Sequence, residues 1–337
     1  MGSESKSPKG GYSWRADVGR FLHMLWHFFP LWPIMVSVIL AGLLLPWLTR
    51  WKSAPNVVVY ASQDQVFAEP ILKAFEKETG TRVRTVYDSE AVKTVAIANR
   101  LIAERDHPQC DLFWGNEELR TRQLAAQNLF RETNGWAAVG YRSRRIVINT
   151  NQLSLAAAPR SVRDLTNQTW RGRIALAYPL FGTTATHLLA LRQHWGDTAW
   201  QAWCRALQAN KPFLVDGNSV VVKFVARGEA VVGLTDSDDI AAEQSEGAPV
   251  AALPLNEELL LIPNTVAVVR GARHPEAAQQ LFEYLQRREI TERLVGARAL
   301  EGFSANEIQT STLHPDWDAL LRDLELATTT LQKIFLR

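Results

Sequence analysis

The chain has 337 residues, 47% of them hydrophobic and 21% charged, with a formal net charge of +2. That length suits two domains or one large one, and the apolar content excludes disorder for the bulk of the chain. Two cysteines, Cys110 and Cys204, exclude a disulfide scaffold and a cysteine-rich zinc fold. They read as two buried free thiols. Residues 1–52 hold six bases and two acids, so the remainder is slightly acidic. Such a body has no electrostatic reason to hold nucleic acid, whose binding rests on neutralising phosphates.

Phe21 to Leu48 contains no Asp, Glu, Lys or Arg. About 20 apolar residues span a bilayer, and Trp26, Trp32, Trp47 and Trp51 stand near the ends, where interfacial aromatics belong. Four bases precede the run and two follow it. The positive-inside rule therefore predicts a cytoplasmic segment over 1–20, a transmembrane helix over 21–48, and residues 52–337 in the periplasm or outside the cell. Lys52-Ser53-Ala54 is a poor cleavage site, so the helix reads as an uncleaved signal anchor in the inner membrane.

Asn56–Ala61 is a short β-branched run and predicts a buried strand. Val66–Thr79 has apolar residues at helical spacing and ends at Gly80. Arg82–Tyr87, Ala91–Glu104, Cys110–Trp114 and Glu117–Gln127 continue the alternation. The order β-α-β-α-β-α predicts a parallel sheet covered on both faces. Trp136–Tyr141 and Arg144–Thr150 read as two more strands. After Pro159 a second α/β set follows, with strands over Arg173–Ala177, Phe213–Val215 and Ala230–Leu234. Its helices run from Thr184 to about Gln193, over Asp197–Ala209, Ser219–Arg227 and Ile240–Ser245. Val250–Leu253, Leu259–Ile262 and Thr265–Val269 are strand-like. Helices close the chain over Glu276–Arg287 and Trp317–Ile334.

In open α/β sheets ligands bind beyond the carboxyl ends of the strands. Those ends are polar throughout. They carry Ser62-Gln63-Asp64-Gln65, Asp88-Ser89-Glu90 and Gly115-Asn116-Glu117-Glu118 in the first unit. In the second they carry Phe181-Gly182-Thr183-Thr184, Asp216-Gly217-Asn218-Ser219 and Thr235-Asp236-Ser237-Asp238-Asp239. For any single one, helix capping is the default reading. Capping does not account for the number of acids that would face one cleft, although some of them could serve helix dipoles. Carboxylates and hydroxyls in this pattern suit a hard cation or a polyamine. Gly182-Thr183-Thr184 at a helix start suits an anion. His187 falls on the cleft side of its helix and His194 on the surface. The chain has no Gly-x-Ser-x-Gly elbow, no phosphate-binding Gly-x-x-x-x-Gly-Lys-Ser/Thr loop and no His-Glu-x-x-His, so an enzyme is not expected.

From Asn56 to Arg337 the body resembles the bacterial extracellular solute-binding proteins of ABC importers, family 1, and most of all the ferric-iron-binding periplasmic branch. The carriers are Val57-Val58-Val59-Tyr60-Ala61-Ser62, Phe75-Glu76-Lys77-Glu78-Thr79-Gly80, Asp111-Leu112-Phe113-Trp114, Arg144 to Thr150, Trp170 to Ala175, Asp216-Gly217-Asn218-Ser219 and Gly228 to Leu234. The resemblance implies an α/β two-lobe type II clamshell. Lobe 1 would be 56–149 and 265–337, lobe 2 would be 150–264, and crossovers near Asn149–Asn151 and Pro263–Thr265 would form the hinge. It implies ligand contacts from Ser62, Gln63, Asp88, Ser89, Glu90, Arg144, Gly182, Thr183, Thr184 and Asn218, to which the strand-end reading adds Asn116, Glu117, Asp236 and Asp238. Arg142 is an alternative to Arg144 as the anion contact.

Where ferric-binding members carry paired tyrosines, this chain has Asp236-Ser237-Asp238-Asp239. A metal cation such as ferric iron would then be held by Asp88, Glu90, Asp236 and Asp238, as transported ligand and not as cofactor. A phosphate- or phosphonate-type anion and a polyamine are the alternative ligands. Permease subunits of an importer are the implied partner, and a membrane-anchored sensor module is the alternative role.

Overall fold

A computed structural model describes residues 56–87, 93–132, 135–254, 256–308 and 312–336. The expected anchor over 21–48 and the expected ligand residues Asp88, Ser89 and Glu90 lie outside them. Among the described residues no helix is long and apolar enough to cross a membrane.

The first set comprises β1 (Asn56–Ala61), α1 (Gln65–Thr79), β2 (Arg82–Tyr87), α2 (Lys93–Ala103), β3 (Leu112–Gly115) and α3 (Glu118–Ala126). Strand β4 (Trp136–Asn149) leads to the second set. That set comprises β5 (Ile174–Ala177), α4 (Gly182–Trp195), α5 (Asp197–Ala209), β6 (Phe213–Val215), α6 (Asn218–Ala226), β7 (Val232–Asp236), α7 (Ser237–Ser245) and β8 (Val250–Ala252). Strand β9 (Leu261–Val268) returns, and α8 (Pro275–Leu285), α9 (Arg288–Gly296) and α10 (Trp317–Phe335) follow.

The described strands join in the order β2-β1-β3-β9-β4-β7-β5-β6, with β8 on β4. Pairing is parallel within β2-β1-β3 and within β7-β5-β6. It is antiparallel wherever β4 or β9 takes part, so the sheet as a whole is mixed, while the parallel pairing predicted for the first set holds. Strands covered on both faces must be apolar at consecutive positions. Val57, Val59 and Ala61 enter one core and Tyr60 the opposite one, while Leu112 and Trp114 part from Phe113 in the same way. In the second set Ile146, Ile148, Ile174 and Leu176 face one core, and Val147, Ala175 and Ala177 the other. Both cysteines are buried free thiols, as expected.

Four elements depart from the sequence reading. The runs on either side of Arg142 are one 14-residue strand, about 47 Å long at 3.3–3.4 Å per residue. Its first part pairs with β9 as far as Ser143–Leu261, and from Arg144 onward it pairs with β7. The partner therefore changes at 143–144, within β4. Leu259–Ile262 and Thr265–Val269 likewise form one strand, because Pro263 and Asn264 stay extended within β9. The predicted helix ends at the turn around Arg287 as α8 does, and α9 beyond it has no counterpart in the sequence reading. Finally, α10 buries Leu320, Leu324, Ala327 and Leu331 in the core of the second set. A lobe that takes in all of 265–337 does not describe this helix.

Between Ala138 and Tyr141 the β4–β9 register shifts, and Gly140 there has φ +99°. A Cβ at Gly140 would stand 2.5 Å from Leu300 Cδ1 and 2.9 Å from Thr291 Cγ2. The strand bends there so that Tyr141 N–H donates to the Gly302 carbonyl at 2.9 Å. Gly140→Ala is expected to cost about 2–4 kcal/mol, from left-handed strain and overpacking together. A urea unfolding curve that keeps the parent midpoint would refute this account of the bend.

Candidate functional site

Residues two apart on a strand point to the same face. Arg142 and Arg144 do so on β4, at the point where its partner changes, and they are 2% and 0% exposed. In the β4–β7 ladder Arg144 lies directly opposite Asp236. Its Nη1 donates to Asp236 Oδ1 at 2.6 Å and to Asn218 Oδ1 at 2.9 Å. Its Nη2 reaches the Leu234 carbonyl at 3.2 Å and Thr184 Oγ1 at 3.3 Å. Arg142 Nη2 donates to Asp236 Oδ2 at 3.3 Å, and Arg142 Nη1 to Asn264 Oδ1 at 2.8 Å. Asn264 Nδ2 in turn donates to Gln63 Oε1 at 2.8 Å, which carries the network to the end of β1.

Asp236 is the hub. Thr183 Oγ1 donates to its Oδ2 at 2.8 Å and Asn218 Nδ2 to the same oxygen at 3.1 Å. Burial alone would raise its carboxyl, but Arg144 first and Arg142 second outweigh burial and hold it below the usual range. Asp238 differs. It is buried and lies 3.4 Å from Arg142 Nε. Burial, with Asp236 and Asp64 nearby, pushes its carboxyl up to about 7 against the pull of Arg142. The guanidinium of Arg142, depressed by burial, is raised on balance by Asp238, Asp236, Asp64 and Asp239. Asp236 thus pairs with both guanidiniums and Asp238 with that of Arg142. Asp236, Asp238 and Asp239 are the one set of His, Cys, Asp or Glu among the described residues whose ligand atoms lie within 4.8 Å of one another.

The capping reading can now be decided residue by residue. Asp236 occupies the N-cap position of α7 but makes no capping hydrogen bond, since its oxygens face the arginines. Phe181 and Gly217 are the N-caps of α4 and α6. Thr183, Thr184 and Asn218 therefore lie inside the first turns, free to serve the hub. Gly182 contributes a positive φ at the first position of α4. Glu117 is a cap: its side chain accepts the N–H groups of Leu119 and Arg120 at 2.8 and 3.0 Å. It also accepts Thr186 Oγ1 of α4 at 3.1 Å, and burial raises its carboxyl. Asn116 is half-buried at the end of β3.

Several buried atoms at the strand ends have no hydrogen-bond partner among the described residues. They are Ser62 Oγ, Gln63 Nε2, Arg144 Nε and Arg142 Nε, the last of which faces Asp238 at ion-pair distance. Buried polar groups are normally satisfied, so this unspent capacity marks room for a polar guest. His187 does not provide it. One ring nitrogen bonds the Glu258 carbonyl at 2.7 Å, and burial, then Arg144, depress the imidazole to about 3. The sequence reading missed Asn264 and Thr186. The only trace of Asn264 is a Pro-Asn-Thr interruption within an apolar run, and Thr186 carries no signal in a helix.

The pattern of one family, described as bacterial extracellular solute-binding protein, matches residues 55–296. The chain belongs to the bacterial extracellular solute-binding proteins. It is 24% identical over 286 residues to the major ferric iron-binding protein of Neisseria meningitidis, an alignment covering 77% of this chain and 84% of that one. The fold of iron-bound HitA from Pseudomonas aeruginosa superposes with a TM-score of 0.71 at 18% identity, over 83% of this chain and 99% of the other. AfuA from Actinobacillus pleuropneumoniae, solved with fructose-6-phosphate, superposes with a TM-score of 0.72 at 20% identity, over 84% and 99%.

Asp236→Ala would leave two buried guanidiniums without their shared carboxylate, and a loss of about 3–5 kcal/mol is expected. Chemical denaturation of the variant measures it, and a loss under 1 kcal/mol, about the value of a surface pair, would refute the hub. The carboxyl of Asp238 moves from an ordinary 3.8 to about 7 on folding. The folded chain therefore holds more protons between those values, so this group's stabilisation declines as pH rises through them and is flat above. Asp236 has the opposite sign: its contribution is complete above 3.8 and is lost as pH falls through its lowered value. Melting of the parent and of Asp238→Asn at pH 5 and pH 8 should show the parent losing more stability on the alkaline side. Equal changes would refute the assignment.

Proposed function

We propose that this solute-binding protein serves an ABC importer as its outward-facing receptor and performs no chemistry. In this reading residues 21–48 anchor it in the inner membrane, with residues 52–337 in the periplasm. Its two lobes, centred on the two α/β sets, close on a small ligand at the strand ends, as hinged receptors do. The ligand is a metal cation, with ferric iron first because the iron-binding relatives carry it.

The observation that carries the reading is the buried cluster of Asp236, Asp238 and Asp239, whose ligand atoms lie within 4.8 Å of one another. Burial, with Asp236 nearby, raises the carboxyl of Asp238 against the pull of Arg142. A cation bound there would displace its proton. Both oxygens of Asp236 are engaged by donors, so that residue organises the site and does not ligate. Asp238 and Asp239 are the metal ligands of the described part, with Asp88 and Glu90 completing the set from the end of β2. An accompanying anion would take the Gly182–Thr184 turn and the free Nε–H of Arg144.

One observation favours a second reading. The Nε–H of Arg144, without a hydrogen-bond partner among the described residues and beside Thr183 and Thr184, would suit a phosphorylated solute, the kind of ligand present in the AfuA structure.

Titration calorimetry on the full chain in detergent, with ferric citrate in one arm and fructose-6-phosphate in the other, separates the two. The cation reading expects proton release on ferric binding, and an affinity in the parent that falls about tenfold per pH unit below 7 relative to Asp238→Asn. Binding of the sugar phosphate alone would replace it with the second reading. For the anchor, carbonate washing of membranes should leave the parent in the pellet and release a chain starting at residue 54.

A further inference from the structure

The carboxyl end of α4 borders a second cavity, of about 410 Å³, whose lining includes His194, Glu257, Thr312 and His314. It lies away from the solute site: Thr183 and His194 are separated by about 16 Å along the helix at 1.5 Å per residue. Three chain segments meet around it, and backbone and side-chain bonds fix them to one another. Leu313 N–H donates to the Leu259 carbonyl at 2.8 Å. Asp316 N–H donates to Gln193 Oε1 at 2.8 Å, and Gln193 Nε2 returns to the Asp316 carbonyl at 3.4 Å.

Each segment presents one metal-ligating side chain to this cavity. His194 comes from the last turn of α4, His314 from the stretch before α10, and Glu257 from the loop before β9. All three are exposed, and none has a hydrogen-bond or ion-pair partner among the described residues. A second observation points to a guest. Thr312, 6% exposed on the same wall, has a buried hydroxyl oxygen without a hydrogen-bond partner among the described residues. The last turn of a helix favours positive charge, because its carbonyls point outward there.

We propose that His194, His314 and Glu257 form a binding site for a transition-metal dication of the zinc class, separate from the solute site. Imidazole nitrogen and carboxylate oxygen are the ligand types that zinc takes, and two imidazoles with one carboxylate make a standard three-ligand set. The oxygen-only cluster at Asp236 has the opposite, hard character. The three ligand atoms do not form a preassembled group, so binding turns two exposed imidazoles inward. The bound ion ties the stretch before α10 to α4 and the β9 loop.

The test uses the full chain in detergent, stripped with chelator and titrated with zinc chloride. The background is Asp238→Asn/Asp239→Asn, so that the carboxylate cluster cannot contribute. One zinc ion should bind, and His194→Ala and His314→Ala should each weaken it at least tenfold. Zinc should also raise the melting temperature of the background protein and leave that of the His194→Ala/His314→Ala chain unmoved. All the substituted ligands of this site are exposed, so loss of folding does not confound the result. Absence of zinc uptake, or unchanged affinity and stabilisation in the double histidine variant, would overturn the site. Neither result bears on the solute reading.

Discussion

A strand that changes partner halfway along must bury whatever side chains stand at the change, and in β4 those are Arg142 and Arg144. Burying two guanidiniums is costly by several kcal/mol per ion unless charge and hydrogen-bonding capacity are both met. Asp236 meets most of that demand because the ladder register sets it opposite Arg144. The donors left over dictate the surroundings. Thr183 and Thr184 come from the first turn of α4, Asn218 from the first turn of α6 and Asn264 from β9. The starts of two helices and a return strand are thereby fixed on one ion pair. Satisfying the arginines and shaping the site are the same physical requirement.

The elements were readable where a local rule sufficed. β1, β2, α5 and β6 have the limits their periodicity predicts, and Gly80 ends α1 with φ +71°. What escaped was continuity. Sequence periodicity sees Gly140 or Pro263-Asn264 as a break. A strand paired on both sides absorbs a positive-φ glycine as a register shift and a proline as a missing donor. The destination of α10 escaped for another reason: an amphipathic stripe says that a face is buried, not against which core. At the site, Thr183, Thr184, Asn218, Asp236 and Asp238 were legible as polar positions at strand ends, and Arg142 and Arg144 only through the family resemblance. Asn264 was not, because one amide in an apolar strand has no periodic signature.

Position relative to the helix start separates residues that cap from residues that serve the site. Glu117 and Asp236 stand at equivalent places, each between a strand and a helix. Glu117 spends its carboxylate on its own helix and adds one bond to Thr186. Asp236 leaves its helix uncapped by side chain and spends its oxygens across the ladder. The difference lies in what faces each residue: backbone N–H groups for one, two buried guanidiniums for the other. A charge-assisted bond to an arginine is stronger than one to a neutral amide, so the arginines win Asp236.

The same competition explains why Asp238 and Asp236 behave oppositely although two residues apart. Arg144 is committed to Asp236, and Arg142 divides its fork between Asp236 and Asn264 while its Nε stands 3.4 Å from Asp238. The nearest guanidinium is therefore mostly spent before Asp238 draws on it. Burial then governs, and the carboxyl keeps its proton to about 7. Which carboxylate is matched is therefore decided by β4 and β7 themselves, where the ladder commits Arg144 to Asp236 and leaves Arg142 divided.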